Sequence, residues 1–444
     1  MLRTLHAGSL WAHWLNIALG AWLVTSPPML GLESRAMAVS EVASGLALMV
    51  CAAFALSWRH TWARWACAVV GLWLLAAPLV FWAPTAAGYL NDTVAGLLAI
   101  GLALLVPPEP GVSPLAATRG PDSPPGWSFN PSSWTQRLPV IALALVGLLI
   151  SRYLAAYQLG HIDSVWEPFF PGGPDPRNGT EEIITSSVSE AWPVPDAGLG
   201  ALTYALEILT GIVGSQRRWR TLPALVLLFG LMIVPLGVVS IFFIIIQPIW
   251  IGTWCTLCLI AAAAMLVQIP YSLDELLATT QFLLRRRRAG RNVWQVLLAG
   301  DTDEQRGGAP AEARPFERPA MEVLKDMVQG GVGLPWNLAL TMAVGVWLMF
   351  TRLTLDAQGA MADADHLIGS LAVTIAVIAC AEPARPVRFV NAVLGAALLI
   401  TPWVLDAGAA HTAASIAAGL ALMLLSVWRG PVRERYDDWN RYLL

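Results

Sequence analysis

The sequence predicts an all-α polytopic membrane protein of about twelve transmembrane helices, grouped as three four-helix modules. Three observations carry that expectation. Of 444 residues, 56% are hydrophobic and only 13% charged, against about 45–50% and about 25% in an ordinary soluble domain. Mean hydropathy is +0.60. Apolar runs long enough to cover a hydrocarbon core of about 30 Å, at about 1.5 Å per residue, recur along the whole chain. This composition excludes a soluble multidomain enzyme, a disordered chain and a disulfide-stapled secreted scaffold. The net charge of −3 implies no polyanionic partner and no nucleic acid. Lys325 is the only lysine among 27 basic residues, which fits a bacterial genome rich in G and C.

The first four spans are read at 10–30, 38–57, 65–83 and 91–107. The opening run is too long for a secretory signal peptide and lacks a small-x-small cleavage site, so it reads as a retained helix. Within these spans a unit repeats. Gly20-x-Trp22 precedes Ser26-Pro27, and Gly71-x-Trp73 precedes Ala77-Pro78 in the same register. The last four spans, at 335–354, 365–383, 388–406 and 411–428, continue it. There Gly345-x-Trp347 leads to Thr351-Arg352, and Gly395 leads to Thr401-Pro402-Trp403. A second glycine follows each by 24 or 25 residues: Gly45, Gly96, Gly369 and Gly419. The unit is a helical hairpin in which glycine permits close approach and Pro with Trp marks the interfacial end. Its expected role is packing. His13, Asn16 and His366 lie near span ends and read as capped or hydrated groups.

Four different spans lie between, at 138–158, 196–213, 221–247 and 250–269. Charge in the connections sets orientation, because Arg and Lys collect in short cytoplasmic loops. Arg59, Arg64, Arg217, Arg218, Arg220, Arg385 and Arg388 fall on one side, as do Arg285 to Arg288 and the C-terminal arginines. Only Arg35, Arg152, Arg177 and Arg352 fall on the other, so both termini are expected to be cytoplasmic. The Arg285–Arg288 run reads as topology and contact with anionic lipid head groups. The loop 159–195 is acidic, with Asp163, Glu167, Asp175, Glu181, Glu182 and Glu190, and is expected outside.

Cys51, Cys67 and Cys380 are isolated in apolar helices and read as small buried hydrophobes. Cys255 and Cys258 form Trp254-Cys255-Thr256-Leu257-Cys258 in the first turns of the eighth span. Two sulfurs three apart on a helix can close a disulfide or act as an attacking and a resolving thiol, and a helix N-terminus favours the thiolate. A zinc site needs four ligands, and no second cysteine pair or nearby histidine supplies them, so no metal is expected. A pair of inert buried thiols and a vestigial pair are the alternatives.

The repeats resemble the SPW repeat of bacterial integral membrane proteins over about 10–107 and 335–428. The middle resembles the vitamin K epoxide reductase family over about 138–285. That resemblance implies a four-helix bundle around a quinone, ubiquinone or menaquinone, with a Cys-x-x-Cys at the extracytoplasmic start of its last core helix. Cys258 is then the sulfur that reduces the quinone, and Cys255 exchanges with an external thiol, for which a thioredoxin-like protein is a candidate. It also implies quinone contacts at Ser187, Asp196, Gly200 and Tyr204, which stand at the family's spacing. Asp196 takes the place of a common Asn and donates only as the neutral acid; the alternative is a solvated Asp capping the sixth helix. The chain departs from the family in two places. Loop 159–195 has no cysteine pair to relay electrons, and Ala262 replaces a hydroxyl residue four positions after Cys258.

The expected organisation is a repeat module at 1–110, a linker at 111–137, the reductase-like bundle at 138–285, a cytoplasmic linker at 286–334, a second repeat module at 335–430 and a cytoplasmic tail at 431–444. Two functions fit. One is a quinone-linked thiol–disulfide oxidoreductase of the bacterial inner membrane, with Trp166, Phe169, Phe170 and Trp192 of the acidic loop capping its pocket or anchoring it at the interface. The other is a catalytically degenerate scaffold or quinone-binding protein. A transporter is less favoured, since Glu207 is the one acid that the sequence places well inside a span, a weak pointer to an ion path.

Overall fold

The computed structural model describes residues 2–32, 34–173, 177–303 and 317–443. Gly307, Gly308, Pro310 and Pro315 of the expected linker, and Asp175 of the acidic loop, lie outside the described residues. Twelve long helices organise the chain: α1 (Leu2–Leu30), α2 (Arg35–Ala55), α3 (Thr61–Val80), α4 (Ala86–Leu104), α5 (Trp134–Gln158), α6 (Asp196–Ile212), α7 (Pro223–Ile246), α8 (Thr256–Arg288), α9 (Trp336–Met349), α10 (Gly359–Ile378), α11 (Phe389–Val404) and α12 (Ala409–Val427). Each expected span overlaps one of them. Among the described residues, nine helical stretches are long and apolar enough to cross a membrane, those of α2 to α5, α7, α8 and α10 to α12. No strand occurs among the described residues.

Helix α8 departs most from the expected limits. It was expected to end near 269 but runs through the arginine run to Arg288. No breaker intervenes until Gly290, whose φ of 76° ends it, and four arginines in the last turn complement the negative end of the helix dipole. The stretch 286–334, expected as a linker, contains short helices at Val293–Ala299 and Ala320–Gln329.

The chain divides into two compact units. The first comprises Met1–Gly120, Ala144–Leu225 and Leu283–Asp303. Here α1 pairs with α2 and α3 with α4, while α2 meets α3, α1 meets α4, and α6 lies against α3 and α4. Leu23, Leu48, Leu74, Leu75, Ile100 and Leu209 share one core. The second comprises Pro121–Leu143, Val226–Phe282 and Glu304–Leu444. In it α9 pairs with α10 and α11 with α12, around Leu348, Ile368, Leu398 and Leu422. The tail is docked rather than free. Tyr436 is fully buried, with its ring 4.9 Å from that of Trp127, and its hydroxyl donates to Glu382 at 3.2 Å. Glu382 also accepts the N–H groups of Arg433 and Glu434.

The repeat glycines are the crossing points of the hairpins. A Cβ on Gly20 would lie 2.6 Å from the carbonyl oxygen of Gly45, and one on Gly45 would lie 2.6 Å from that of Gly20. The pairs Gly71 with Gly96, Gly345 with Gly369 and Gly395 with Gly419 repeat this reciprocal contact at 2.5–2.9 Å. Each hairpin therefore closes backbone on backbone, at a separation that excludes any side chain. The repeat tryptophans do more than mark an interface. Trp22 Nε1 donates to Asn91 at 2.8 Å and Trp73 Nε1 to Ser40 at 2.9 Å, so each hairpin of the first unit binds the other.

Several arginines that sequence reasoning used only for orientation are buried as helix caps. Arg64 donates to the carbonyls of Ala103, Val106 and Pro108 beyond the end of α4. Arg388, at the equivalent repeat position seven residues before its glycine, donates to Ser426 on α12 at 3.1 Å. Arg218 does the same for Thr210, Gly211 and Val213 at the end of α6. Each satisfies carbonyls that a helix terminus leaves without an internal donor. In the Arg285–Arg288 run, Arg285 pairs with Asp303 and Arg286 with Asp301, while Arg287 and Arg288 are exposed. Burial opposes ionisation of Asp301, but the Thr302 N–H and the guanidinium groups of Arg291 and Arg286 outweigh it and hold that carboxyl below the usual aspartate range.

Substituting Val at Gly71 or Gly395 is expected to lower the thermal stability of the purified protein by about 1–3 kcal/mol or more, the cost of overpacking a close contact. Gly408→Ala, at a position with open space around it, is the control and should leave the melting curve unchanged.

Candidate functional site

The cysteine pair is built by the turn before α8. Helix α7 ends in a wide turn, Gln247–Ile251, and Gly252 then reverses the chain at a φ of 93°. Gly252 N–H donates to the Gln247 carbonyl at 2.9 Å, and the Gln247 side chain accepts the N–H of Cys255 at 3.1 Å. The first internal bond of α8 runs from the Leu259 N–H to the Cys255 carbonyl. Cys255 is thus the N-cap, and Cys258 is the third residue of the first turn. Its N–H donates to Cys255 Sγ at 3.0 Å, as it would to the oxygen of a capping Ser or Asp.

The two sulfurs are joined as a disulfide, with Cα atoms 5.2 Å apart. Cys255 is fully buried and Cys258 partly exposed. Beside them Trp254 is buried, its ring 5.5 Å from that of Phe350 and 6.3 Å from that of His366. His366 is capped, as its place near a span end suggested, with its two ring nitrogens each 3.1 Å from a carbonyl, of Met349 and of Ile244. Gln247 was missed by sequence reasoning. Its one signal was an amide at the end of an otherwise apolar span, followed by Pro248.

The residues that the resemblance ties to quinone belong to the first unit. Asp196, Gly200 and Tyr204 recur every four residues, which puts them on one face of α6. That face meets Gln158, Ser151 and Gly147 of α5, also spaced for one face. Gln158 Nε2 donates to Asp196 Oδ1, and Gln158 Oε1 accepts the Ala197 N–H at 3.1 Å. A Cβ on Gly200 would lie 3.1 Å from Ser151 Oγ, and one on Gly147 would lie 2.3 Å from the Tyr204 ring. Tyr204 is buried in the room that Gly147 leaves. Ser187 is exposed, and it is Ser189 whose hydroxyl reaches Asp196, at 2.8 Å.

The acidic loop is held by its own carboxylates. Glu167 accepts the N–H groups of Phe169 and Phe170 and the Thr180 hydroxyl. Glu181 accepts from Val165 and closes a capping box with Asn178, and Glu182 accepts from Gly173. Trp166 and Phe169 are exposed, at 56% and 72%, so they present apolar surface rather than fill the core.

Gln158→Ala removes two bonds at the start of α6. It is expected to speed amide hydrogen exchange at Ala197, by an opening free energy lower by about 0.5–1.5 kcal/mol, the net worth of an ordinary hydrogen bond. Ser187→Ala should leave the same amide unchanged.

Two family models match this chain. Residues 138–273 match the Vitamin K epoxide reductase family, and residues 10–106 and 335–429 match the SPW repeat domain. No curated protein and no solved structure matches it. A segment that matches the Vitamin K epoxide reductase family model thus lies in sequence between two that match the SPW repeat domain.

Proposed function

We propose that this protein is a membrane thiol–disulfide oxidoreductase that passes electrons from extracytoplasmic thiols, through Cys255 and Cys258, to a membrane quinone. The observation that carries this reading is a Cys-x-x-Cys disulfide built into the first turn of α8, within the segment that matches the reductase family. A dithiol substrate of the thioredoxin-like kind attacks Cys255 and releases Cys258 as a thiolate. Its second thiol then resolves the mixed disulfide, leaving substrate disulfide and both cysteines reduced. Cys258 next delivers the electron pair, and closure of the Cys255–Cys258 bond releases two electrons and two protons to form the quinol from ubiquinone or menaquinone. The dipole of α8 lowers the cost of the thiolate at both sulfurs. Because Cys255 is buried, the first exchange waits on a local opening around Trp254.

The same reading assigns the quinone carbonyl to Asp196, with Ser187, Gly200 and Tyr204 around it. Asp196 already accepts from Gln158 and Ser189, so it donates to a carbonyl only as the neutral acid. The localisation that fits is a bacterial inner membrane with both termini cytoplasmic, as the arginine distribution implies. The central bundle at 138–285 is then the catalytic module, with the repeats at 1–110 and 335–430 before and after it in the sequence.

Purified protein in lipid is expected to oxidise a dithiol with one quinone reduced per disulfide formed. Cys258→Ser should abolish turnover, because a lone Cys255 thiol offers the dithiol no disulfide to attack. Unchanged turnover in Cys258→Ser, or cysteines that stay reduced in the presence of quinone, would support the degenerate scaffold instead. Separately, Asp196→Asn supplies a permanent donor and should retain turnover, whereas Asp196→Ala should raise KM for quinone about tenfold, the equivalent of one hydrogen bond of about 1.4 kcal/mol.

A further inference from the structure

The hairpins share a polar position that sequence reasoning left aside. Four residues before each second glycine stand Glu41, Asp92, Asp365 and Ser415, all 0–1% exposed. Six residues after each first glycine stand Ser26, Ala77, Thr351 and Thr401. In the first hairpin the two positions meet, Ser26 Oγ donating to Glu41 Oε2 at 2.7 Å. Asp365 has a partner as well, His411 at 2.6 Å. The hairpin of α3 and α4 breaks the pattern. Ala77 has no hydroxyl to offer Asp92, and neither oxygen of Asp92 has a hydrogen-bond partner. Asn91, the neighbour of Asp92 on α4, donates to Glu41 Oε1 at 3.1 Å, which brings the end of α4 that carries Asp92 against the Glu41 carboxyl.

We propose that Glu41 and Asp92 form a proton-binding site between the two hairpins of the N-terminal repeat module, an acid and a carboxylate that hold one exchangeable proton. Two buried carboxylates in contact cannot both stay ionised. The asymmetry of donors decides their roles. Glu41 accepts from Ser26 and from Asn91 Nδ2, the latter at 3.1 Å, and so is equipped to be the anion. Asp92, with no donor, is equipped to be the neutral acid that gives its proton to Glu41.

The donor set also excludes a metal cation as the occupant. A cation needs oxygen lone pairs, but Ser26 and Asn91 aim hydrogens at the site, and the Asn91 oxygen is taken by Trp22 Nε1 at 2.8 Å. Among the described residues, no basic side chain forms an ion pair with either acid. On the packed elements, α1 offers Ser26 and Trp22 and α3 offers Ala77 and Trp73. Tyr89, one turn before Asp92 on α4, is met by Arg152 and His161. Asp196 on α6 is held by Gln158 and Ser189.

Infrared difference spectroscopy on the full-length protein in lipid tests this. Wild type at neutral pH should show the carbonyl stretch of a protonated carboxylic acid, and Asp92→Asn should remove that band. Ala77→Ser restores the missing hydroxyl and should move loss of the band to lower pH, by about one pH unit or more. The melting temperature of wild type should fall as pH rises through the point where the band disappears, and that fall should be absent in Asp92→Asn. The proposal is overturned if the band survives unchanged in both variants. It is also overturned if sodium at constant pH abolishes the band, which would make the site a cation site.

Discussion

Backbone closeness governs this protein. In lipid no hydrophobic force drives helices together, because the solvent is as apolar as the side chains, so association rests on contact and on polar bonds. The four reciprocal glycine contacts supply the first. At Gly20 and Gly45, and at the three equivalent pairs, carbonyl oxygens sit where a Cβ would be. The hydroxyls, acids and indole N–H groups one or two turns away then come within bonding distance. The glycines therefore set both the packing of the hairpins and the polar chemistry between them.

Arginine serves the same economy at the helix ends. Arg64, Arg218 and Arg388 each supply several donors to carbonyls that would otherwise be left open in an apolar setting. Their location on one side of the chain's alternating loops is what an orientation rule reads. The structure adds that part of this charge is buried and spent on the backbone, so it is not available to lipid head groups.

The fold was largely legible because its signals are local. Apolar runs of about 20 residues mark spans, and a glycine that recurs after 24 or 25 residues marks the crossing point of a hairpin. The cysteine pair was legible for the same reason, being confined to one helical turn. What escaped depends on distant partners. Gln158 lies 38 residues from Asp196, so no local pattern announced that this amide binds its carboxyl. The end of α8 was misjudged because hydropathy falls where the helix leaves the apolar layer, although nothing breaks the helix there. Glu41 and Asp92 were passed over because they lie near span ends, where an acid usually meets water. Their burial comes from the neighbouring hairpin, which no window along the chain can see.

The loop between α5 and α6 has a consequence of its own. Related loops are described as relays because they carry cysteines. This one is tied by Glu167, Glu181 and Glu182, each accepting backbone N–H groups. Its shape is therefore indifferent to oxidant and reductant. Trp166 and Phe169 thus stand exposed on a loop whose fold no thiol of its own can alter.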